Sequence, residues 1–296
     1  MKINKNLLRD LRNGLLFTSP YLVGLIFFTV YPIGASFYYS FCEYTGIKNP
    51  QWIGLENYTT LFNDPLFRVS LYNTVYYTMF AVPLGMITAL ALAVLLNNQV
   101  KGLSIFRTIF YLPSIVPVVA SSVLWLWLLN PQYGLINSIL DFFHIRGPGW
   151  LSDPVWAKPS LILMSLWSVG GTMIIYLAAL QDVPQDLLEA AELDGASSWQ
   201  KIRNITLPMI SPAILFTLVT GLIGSFQYFT QAYVMTAGGP VNATHFYSLY
   251  LFRNAFSYFK MGYASAQAWI LFVIVLVCTV IVFKTSARWI YYGGER

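Results

Sequence analysis

The sequence predicts an all-α, polytopic membrane protein with six transmembrane helices. Of its 296 residues, 57% are hydrophobic and only 10% are charged, whereas soluble domains carry about 25% charged residues. Six apolar stretches approach or exceed the roughly 20 residues that a spanning helix needs, and none of them contains Asp, Glu, Lys or Arg. The basic residues collect in the gaps between these stretches, which is the pattern of membrane topology.

The six predicted spans follow one another in a single membrane domain over residues 1–296. The first is too long for the apolar core of a signal peptide, so we interpret it as an uncleaved helix. Proline and glycine interrupt three spans, at Pro83–Gly85, at Pro113 with Pro117, and at Gly170–Gly171. Close helix packing is favoured over a hinge as the reason. The spans are Gly14–Phe41, Tyr72–Leu96, Thr108–Leu129, Ser160–Leu180, Ile210–Tyr233 and Ala264–Phe283.

The distribution of Lys and Arg predicts that both termini are cytoplasmic. In this orientation eleven of the 17 basic residues lie on the inner side. The loop over residues 182–208, after the fourth span, is then also cytoplasmic. The inner basic residues are Lys2, Lys5, Arg9, Arg12, Lys101, Arg107, Lys201, Arg203, Lys284, Arg288 and Arg296, and the outer ones are Lys48, Arg68, Arg146, Lys158, Arg253 and Lys260.

The loop over residues 182–208 predicts two short helices joined at a glycine. Pro184 suits a helix start, and Gly195 suits the carboxyl-terminal cap of the first helix. Ser197 and Gln200 form the pattern of a capping box for the second helix. We expect Leu207-Pro208 to end that helix and lead into the fifth span.

Such a loop could couple the membrane helices to another protein. Small residues at its tip (Ala190, Ala191, Gly195 and Ala196) would let a partner approach the backbone closely. Because both ends are tethered, a force on the loop would move the fourth and fifth spans. The alternative is a solvated connector, which composition alone does not exclude.

The same residues carry a resemblance to a known family. The loop resembles the EAA motif of ABC importer permeases, with every signature position filled. The motif positions are Glu189, Ala190, Ala191, Gly195, Ile205, Leu207 and Pro208, and its extended form adds Asp194 and Ala196.

The resemblance implies the type I ABC importer permease fold, with the loop docked into a groove of a separate ATPase subunit. Glu189 would contact the ATPase and Gly195 would permit the elbow between the two helices. The alternative for Glu189 is a favourable position at a helix amino terminus.

Three further segments resemble the carbohydrate-uptake branch of the family, which is similar to the sugar and glycerol-phosphate permeases. They are Gly238-Gly239-Pro240, Gly262–Ala266 and Arg288-Trp289. The resemblance implies a second homologous permease, two copies of an ATP-binding subunit, an extracytoplasmic solute-binding protein, a carbohydrate solute, and a bacterial or archaeal cytoplasmic membrane. The chain departs from the maltose permease in having no large outer insertion after the third span.

Catalytic and metal-binding patterns are missing from the sequence. No Gly is followed by Lys, so there is no Walker A motif, and ATP and Mg²⁺ would be used by the partner ATPase. The two histidines, His144 and His245, and the two cysteines have no metal-site spacing. No basic stretch is interleaved with stacking aromatics, which excludes a nucleic-acid partner. We therefore predict no enzyme activity, cofactor or metal in this chain.

A solute pathway is predicted along the fourth and fifth spans. Hydroxyl, amide and aromatic groups there suit a neutral polyol or sugar, and in the maltose permease sugar contacts come from the same two spans. Glycine-mediated helix packing is the alternative for the glycines. The candidate pathway residues are Trp167, Gly171, Thr172, Gly221, Ser225, Tyr228 and Gln231.

The sequence therefore predicts the permease subunit of an ATP-driven importer for an oligosaccharide or related polyol. An importer branch for amino acids or anions is the first alternative, and it is disfavoured because charged cargo should meet charge in the path. An ion-coupled secondary carrier is the second. It is disfavoured because the predicted spans lack the carboxylates that usually relay protons.

Overall fold

The computed structural model of the chain describes residues 5–97 and 102–291. Three basic residues used to predict the orientation, Lys2, Lys101 and Arg296, lie outside the described residues, as does the side chain of Lys5. The described part is mostly helical and contains a two-stranded sheet. The predicted all-α class is therefore confirmed.

One of two contact units comprises Met1–Asn63 with Leu251–Ile270. Its segment Arg9–Tyr39 is long and apolar enough to cross a membrane, and it contains most of the first predicted span. The elements up to residue 63 are α1 (Lys5–Leu25), a π-helical turn (Ile26–Val30), α2 (Tyr31–Tyr39), β1 (Cys42–Glu43), β2 (Gln51–Trp52) and α3 (Glu56–Asn63).

A small β-hairpin follows α2. Strands β1 and β2 pair antiparallel with Cys42 opposite Trp52. The Asn57 amide donates to the carbonyls of Ser40 and Cys42, both at 2.9 Å. A Cβ on Gly262 would lie 2.0 Å from the Cys42 carbonyl oxygen, so only glycine fits there. The sequence did not predict this hairpin because two-residue strands are too short to show alternation.

The other unit comprises Asp64–Tyr250 with Leu271–Arg296. Its long helix α4 packs against α8, α9 and α13. The remaining elements of the chain are α4 (Pro65–Leu96), α5 (Leu103–Ile115), α6 (Val118–Leu128), α7 (Leu135–Phe142), α8 (Pro154–Trp167), α9 (Gly170–Gln181), α10 (Gln185–Leu193), α11 (Ser198–Lys201), a π-helical turn (Ile202–Thr206), α12 (Leu207–Met209), α13 (Ser211–Phe226), a π-helical turn (Ala232–Thr236), α14 (Tyr247–Phe252), a π-helical turn (Arg253–Ser257) and α15 (Met261–Ser286).

Helix α4 starts earlier than predicted, at Pro65 instead of Tyr72. The Asp64 carboxylate accepts a hydrogen bond of 2.8 Å from the Leu66 amide, and Pro65 needs no donor in the first turn. Polar residues therefore extend the helix beyond its apolar segment. Pro83 lies inside α4 and does not interrupt it.

Three helices and three bent helix pairs have the length and composition of membrane spans, so the described residues hold up to six. The pair α5 and α6 bends by 100° before Pro117, α8 and α9 bend by 48° before Gly170, and α11–α12 bend by 67° against α13. A Cβ on Gly170 would lie 2.6 Å from the Phe110 carbonyl oxygen. Close packing therefore explains this glycine, as predicted.

Helix α13 ends at Phe226, so the predicted fifth span to Tyr233 is too long. The amides of Gln227 and Tyr228 bond to the Gly224 and Ser225 carbonyls, which tightens the last turn. Glycines weaken helices, and Gly221 and Gly224 lie in the last turns of α13. Tyr228 then packs against side chains outside the helix instead of continuing it.

Candidate functional site

The predicted glycine elbow is present between α10 and α11. The Gly195 amide donates to the Glu192 carbonyl (3.0 Å), and the Ala196 amide donates to the Ala191 carbonyl (2.9 Å). This is a Schellman motif. Gly195 has a φ of +78°, a conformation that strains residues with a Cβ.

Side-chain bonds cap the second helix and link it to the first. The Ser197 amide donates to Gln200 Oε1 (2.7 Å), and the Gln200 amide donates to Ser197 Oγ (3.4 Å), which completes the predicted capping box. Lys201 Nζ lies 3.2 Å from Glu192 Oε2. An exposed ion pair of this kind contributes at most about 1 kcal/mol, so the backbone caps are the main support.

One side of the loop packs onto the helix bundle. Leu188, Ile205 and Leu207 contact a buried cluster that includes Met173 and Tyr176. Ile205 and Leu207, two of the nine predicted docking residues, therefore anchor the loop to its own chain. The exposed motif residues are Glu189, Ala190, Asp194 and Gly195, and the half-buried ones are Ala191, Ala196 and Pro208.

Two large apolar side chains on the loop were not among the predicted docking residues. Leu193 is 91% exposed and Trp199 is 67% exposed. Exposed Trp side chains are typical anchors of protein interfaces. Their occurrence in a polar loop is a signal that sequence reasoning could have used.

Pro208 does not end the second helix, contrary to the prediction. The chain stays helical through the turn Ile202–Thr206 and through α12 (Leu207–Met209). Pro208 lies in the first turn of α12, where proline is tolerated. The chain bends one residue after α12, at Ile210.

A cavity of about 450 Å³ lies among α4, α5, α6, α8, α9 and α13. Its lining residues, all in the described part of the chain, include no Asp, Glu, Lys, Arg or His. Hydroxyl and amide groups supply its polar surface. These polar groups belong to Tyr77, Ser114, Ser121, Ser165, Ser168, Thr172, Thr217, Ser225, Tyr228 and Gln231.

Six of the seven predicted pathway residues line this cavity, namely Trp167, Thr172, Gly221, Ser225, Tyr228 and Gln231. Gly171 does not, and a Cβ there would meet nothing within 4 Å. Successive helical residues differ in direction by about 100°. Thr172 of α9 and Val169 just before it therefore face the cavity, whereas Gly171 is exposed.

The two glycines of α13 differ in their surroundings. A Cβ on Gly221 would lie 3.4 Å from Val82 Cγ1, in ordinary packing contact with α4. A Cβ on Gly224 would meet nothing within 4 Å. Both glycines therefore line the cavity, and Gly221 also packs against α4.

Sequence reasoning missed the contributions of α4, α5 and α6 to the cavity. Tyr77 and Gly85 come from α4, and Ser114 and Ser121 come from the bent pair. Hydroxyl groups within apolar spans were a usable signal. Which face of α4 turns inward depends on its packing against three other helices, and the hydrophobic pattern of α4 does not reveal this.

Aromatic rings from α4 and from the connector (residues 227–246) between α13 and α14 pack together at the cavity wall. We call Tyr77, Tyr228 and Phe246 the aromatic barrier. The Tyr77 and Tyr228 ring centroids are 4.2 Å apart, and Phe246 presents its ring to theirs at 5.5 and 5.2 Å. The Tyr228 ring is therefore covered by neighbours, whereas Trp167 meets the edge of Trp125 at 6.1 Å and is half-buried.

No group of three or more His, Cys, Asp or Glu side chains that could hold a metal occurs among residues 5–97 and 102–291. His144 is exposed after α7, and His245 is buried in the connector. The two cysteines in the described residues, Cys42 and Cys278, are free.

The chain matches known transport proteins over most of its length. Residues 81–293 match the family model described as "Binding-protein-dependent transport system inner membrane component". The probable ABC transporter permease protein YesP of Bacillus subtilis is 44% identical over 100% of this chain and 97% of its own length. The lactose transport system permease protein LacF of Rhizobium radiobacter is 38% identical over 93% of this chain and 94% of its own.

A solved structure has the same fold. A chain of a bacterial alginate ABC transporter, in complex with an alginate pentasaccharide-bound periplasmic protein, superimposes with a TM-score of 0.85. It is 26% identical and covers 97% of this chain and 98% of its own.

The chain belongs to the binding-protein-dependent transport system inner membrane component family and is a permease subunit of an ABC importer. It is a multi-pass membrane protein whose ATPase is a separate subunit. Its importer includes a partner permease and a solute-binding protein.

Proposed function

We propose that this permease forms half of the pathway for a neutral oligosaccharide or related polyol. The observation that carries the proposal is the cavity, which is lined by hydroxyl, amide and aromatic groups and by no Asp, Glu, Lys, Arg or His. Hydroxyl-rich solutes need directional hydrogen bonds and flat apolar faces. Trp167 supplies an aromatic surface, and the side chains of α8, α9 and α13 supply the hydrogen bonds.

The relatives support a carbohydrate cargo. LacF is named for lactose, and the structural relative comes from an alginate transporter. Alginate is an acidic polysaccharide, and the uncharged lining here favours a neutral counterpart. It also disfavours the amino-acid and anion branches, because buried charge requires compensation.

The loop over residues 182–208 is the proposed docking element for the ATPase. Its exposed residues Glu189, Ala190, Asp194 and Gly195 would enter the partner, while Ile205 and Leu207 transmit the displacement to the helix bundle. Two ATPase copies and a second homologous permease would complete the importer. The chain itself would need no cofactor, since the partner ATPase would bind and use ATP and Mg²⁺.

The proposed orientation has both termini and the loop in the cytoplasm of a bacterium or archaeon, with the binding protein outside. Its basis is the excess of Lys and Arg on the inner side. The connector is then on the outer side of the membrane.

Uptake by the assembled importer, with its binding protein and the solute which that protein carries, tests the cargo. We expect ATP-dependent uptake of a neutral oligosaccharide. Trp167→Ala should lower it roughly tenfold, a loss of about 1.4 kcal/mol, because an aromatic surface is removed from the path. Trp127→Ala is the matched control, since Trp127 is exposed and is not part of the cavity wall. An amino acid or inorganic anion as the transported solute would contradict the proposal.

A further inference from the structure

The aromatic barrier brings together side chains from three segments, and two of them, Tyr77 and Tyr228, line the cavity. Tyr77 comes from α4, Tyr228 from the start of the connector, and Phe246 from its end. All three are buried, and Phe246 has no exposed surface. Because the three rings are in contact with one another, no solute can pass between them in this arrangement.

The Asn73 side chain fastens the connector to α4. Asn73 Nδ2 donates to the Asn242 carbonyl (2.8 Å) and to the His245 carbonyl (3.2 Å). Both acceptors are backbone atoms in the last turns before Phe246. On the other side of Phe246, the Tyr247 amide donates to Thr74 Oγ1 (2.9 Å). The two neighbouring residues Asn73 and Thr74 therefore hold both sides of Phe246.

The connector is stiffened by its own hydrogen bonds. The Thr244 hydroxyl donates to the Gly239 carbonyl (2.6 Å) and lies 2.6 Å from the Thr236 hydroxyl. These bonds tie Thr244 back to the start of the connector's last segment.

The other end of the Asn73 side chain is bound to α8. Lys158 Nζ donates to Asn73 Oδ1 (3.0 Å) and lies 4.8 Å from the ring centroids of Tyr72 and Tyr76. This contact orients the amide, so that its NH₂ group points toward the connector. Asn73 is 2% exposed, and buried donors of this kind are costly to leave unpaired.

We propose that Asn73 is a positioning residue that holds the aromatic barrier shut on the side from which cargo enters. Its two bonds to the connector break when the cavity opens to that side. The direction of entry rests on the proposed function, whereas the existence of the barrier rests on the contacts alone.

Side-specific labelling tests the proposal. Ser168→Cys places a thiol on an exposed, cavity-lining position in a Cys42→Ser, Cys278→Ser background. The assembled importer in membrane vesicles is treated with a membrane-impermeant maleimide on either face. The parent should react slowly from the outer face. Asn73→Asp, which keeps an acceptor for Lys158 but has no N–H, should react roughly tenfold faster there, as expected when two buried hydrogen bonds are lost.

A second variant and a control separate the barrier from general stability. Phe246→Ala removes a ring of the barrier and should accelerate outer labelling in the same way, even if Asn73→Asp does not assemble. Asn57→Asp is the matched control, because Asn57 is also a buried amide that donates to two backbone carbonyls, those of Ser40 and Cys42, and it should leave outer labelling within about twofold of the parent. Labelling from the inner face should stay unchanged in all three.

Fast outer labelling of the parent, or unchanged outer labelling in assembled Asn73→Asp and Phe246→Ala, would overturn the proposal. Acceleration confined to the face that carries residues 182–208 would also overturn it, because the span ending at Phe226 separates that loop from the connector. Acceleration confined to the cytoplasmic face, with residues 182–208 found outside, would support the barrier and refute the proposed orientation. If labelling is as expected but the importer takes up no carbohydrate, the proposed cargo is refuted and the barrier is still supported.

Discussion

At the residue scale, two adjacent glycines at the α8–α9 bend have different requirements. A Cβ on Gly170 would lie 2.6 Å from the Phe110 carbonyl oxygen and 2.8 Å from Tyr111 Cα. A Cβ on Gly171 would enter open space. The identity of the two residues in the sequence gives no hint of this difference, because it arises from the approach of α5.

Gly170→Ala should therefore destabilise the permease by about 1–3 kcal/mol, since backbone atoms must shift to admit the methyl group. Gly171→Ala should be neutral or slightly stabilising, because alanine favours helix. Thermal unfolding of the two purified variants compares them directly. Equal loss of stability in both would contradict the packing assigned to Gly170.

Gly195 is required by its backbone conformation, since its surroundings are open. Gly195→Val should strain the elbow by about 1–2 kcal/mol and reduce cargo-stimulated ATP hydrolysis. Gly195→Asn is the matched variant, because asparagine tolerates a positive φ, and it should retain most of the stimulation. If both variants hydrolyse ATP like the parent, the elbow geometry is not needed for coupling.

At the element scale, local signals predicted the loop well. The glycine cap and the capping box depend on residues within six positions of one another, so the sequence was sufficient. The end at Pro208 was predicted wrongly because a proline can also occupy the first turn of a continuing helix. The end of α13 was missed because Tyr228 is drawn away by Tyr77 and Phe246, which are distant in the sequence.

The cavity was predicted only in part, because some of its wall follows from local spacing and the rest from tertiary packing. Trp167 and Thr172 on one span, and Gly221 and Ser225 on another, follow from helical spacing once the spans are known. The inward face of α4 and the arrival of Phe246 from the connector depend on tertiary packing. No local pattern encodes them.

The exposed apolar side chains of the loop give an element-scale prediction. Trp199→Ala should weaken binding of the ATPase by about 2 kcal/mol, roughly thirtyfold, because a Trp at an interface is a frequent hot spot. Leu188→Ala is the contrasting variant, since Leu188 packs inward and its loss should lower thermal stability first. Titration of ATPase subunit onto the reconstituted permease pair measures the affinity. Unchanged affinity for Trp199→Ala would remove this residue from the interface.

At the scale of the whole molecule, we expect this chain to move solute only under the action of a separate ATPase. The spans of an ion-coupled carrier usually contain carboxylates or histidines that relay charge. In the described spanning helices, Asp10 near the start of α1 is the only Asp, Glu or His. Energy would instead enter through the loop over residues 182–208 and reach the cavity through Ile205, Leu207 and the helices they contact.

Solute accumulation in liposomes tests whether transport depends on the ATPase. Vesicles holding the purified permease without ATPase are compared with vesicles holding the complete importer, its binding protein and ATP, under the same ion gradients. We expect uphill accumulation only in the complete system, and its loss when Glu189→Lys disrupts docking. Uphill transport by the permease alone under an ion gradient would show that the ATPase is not the energy source.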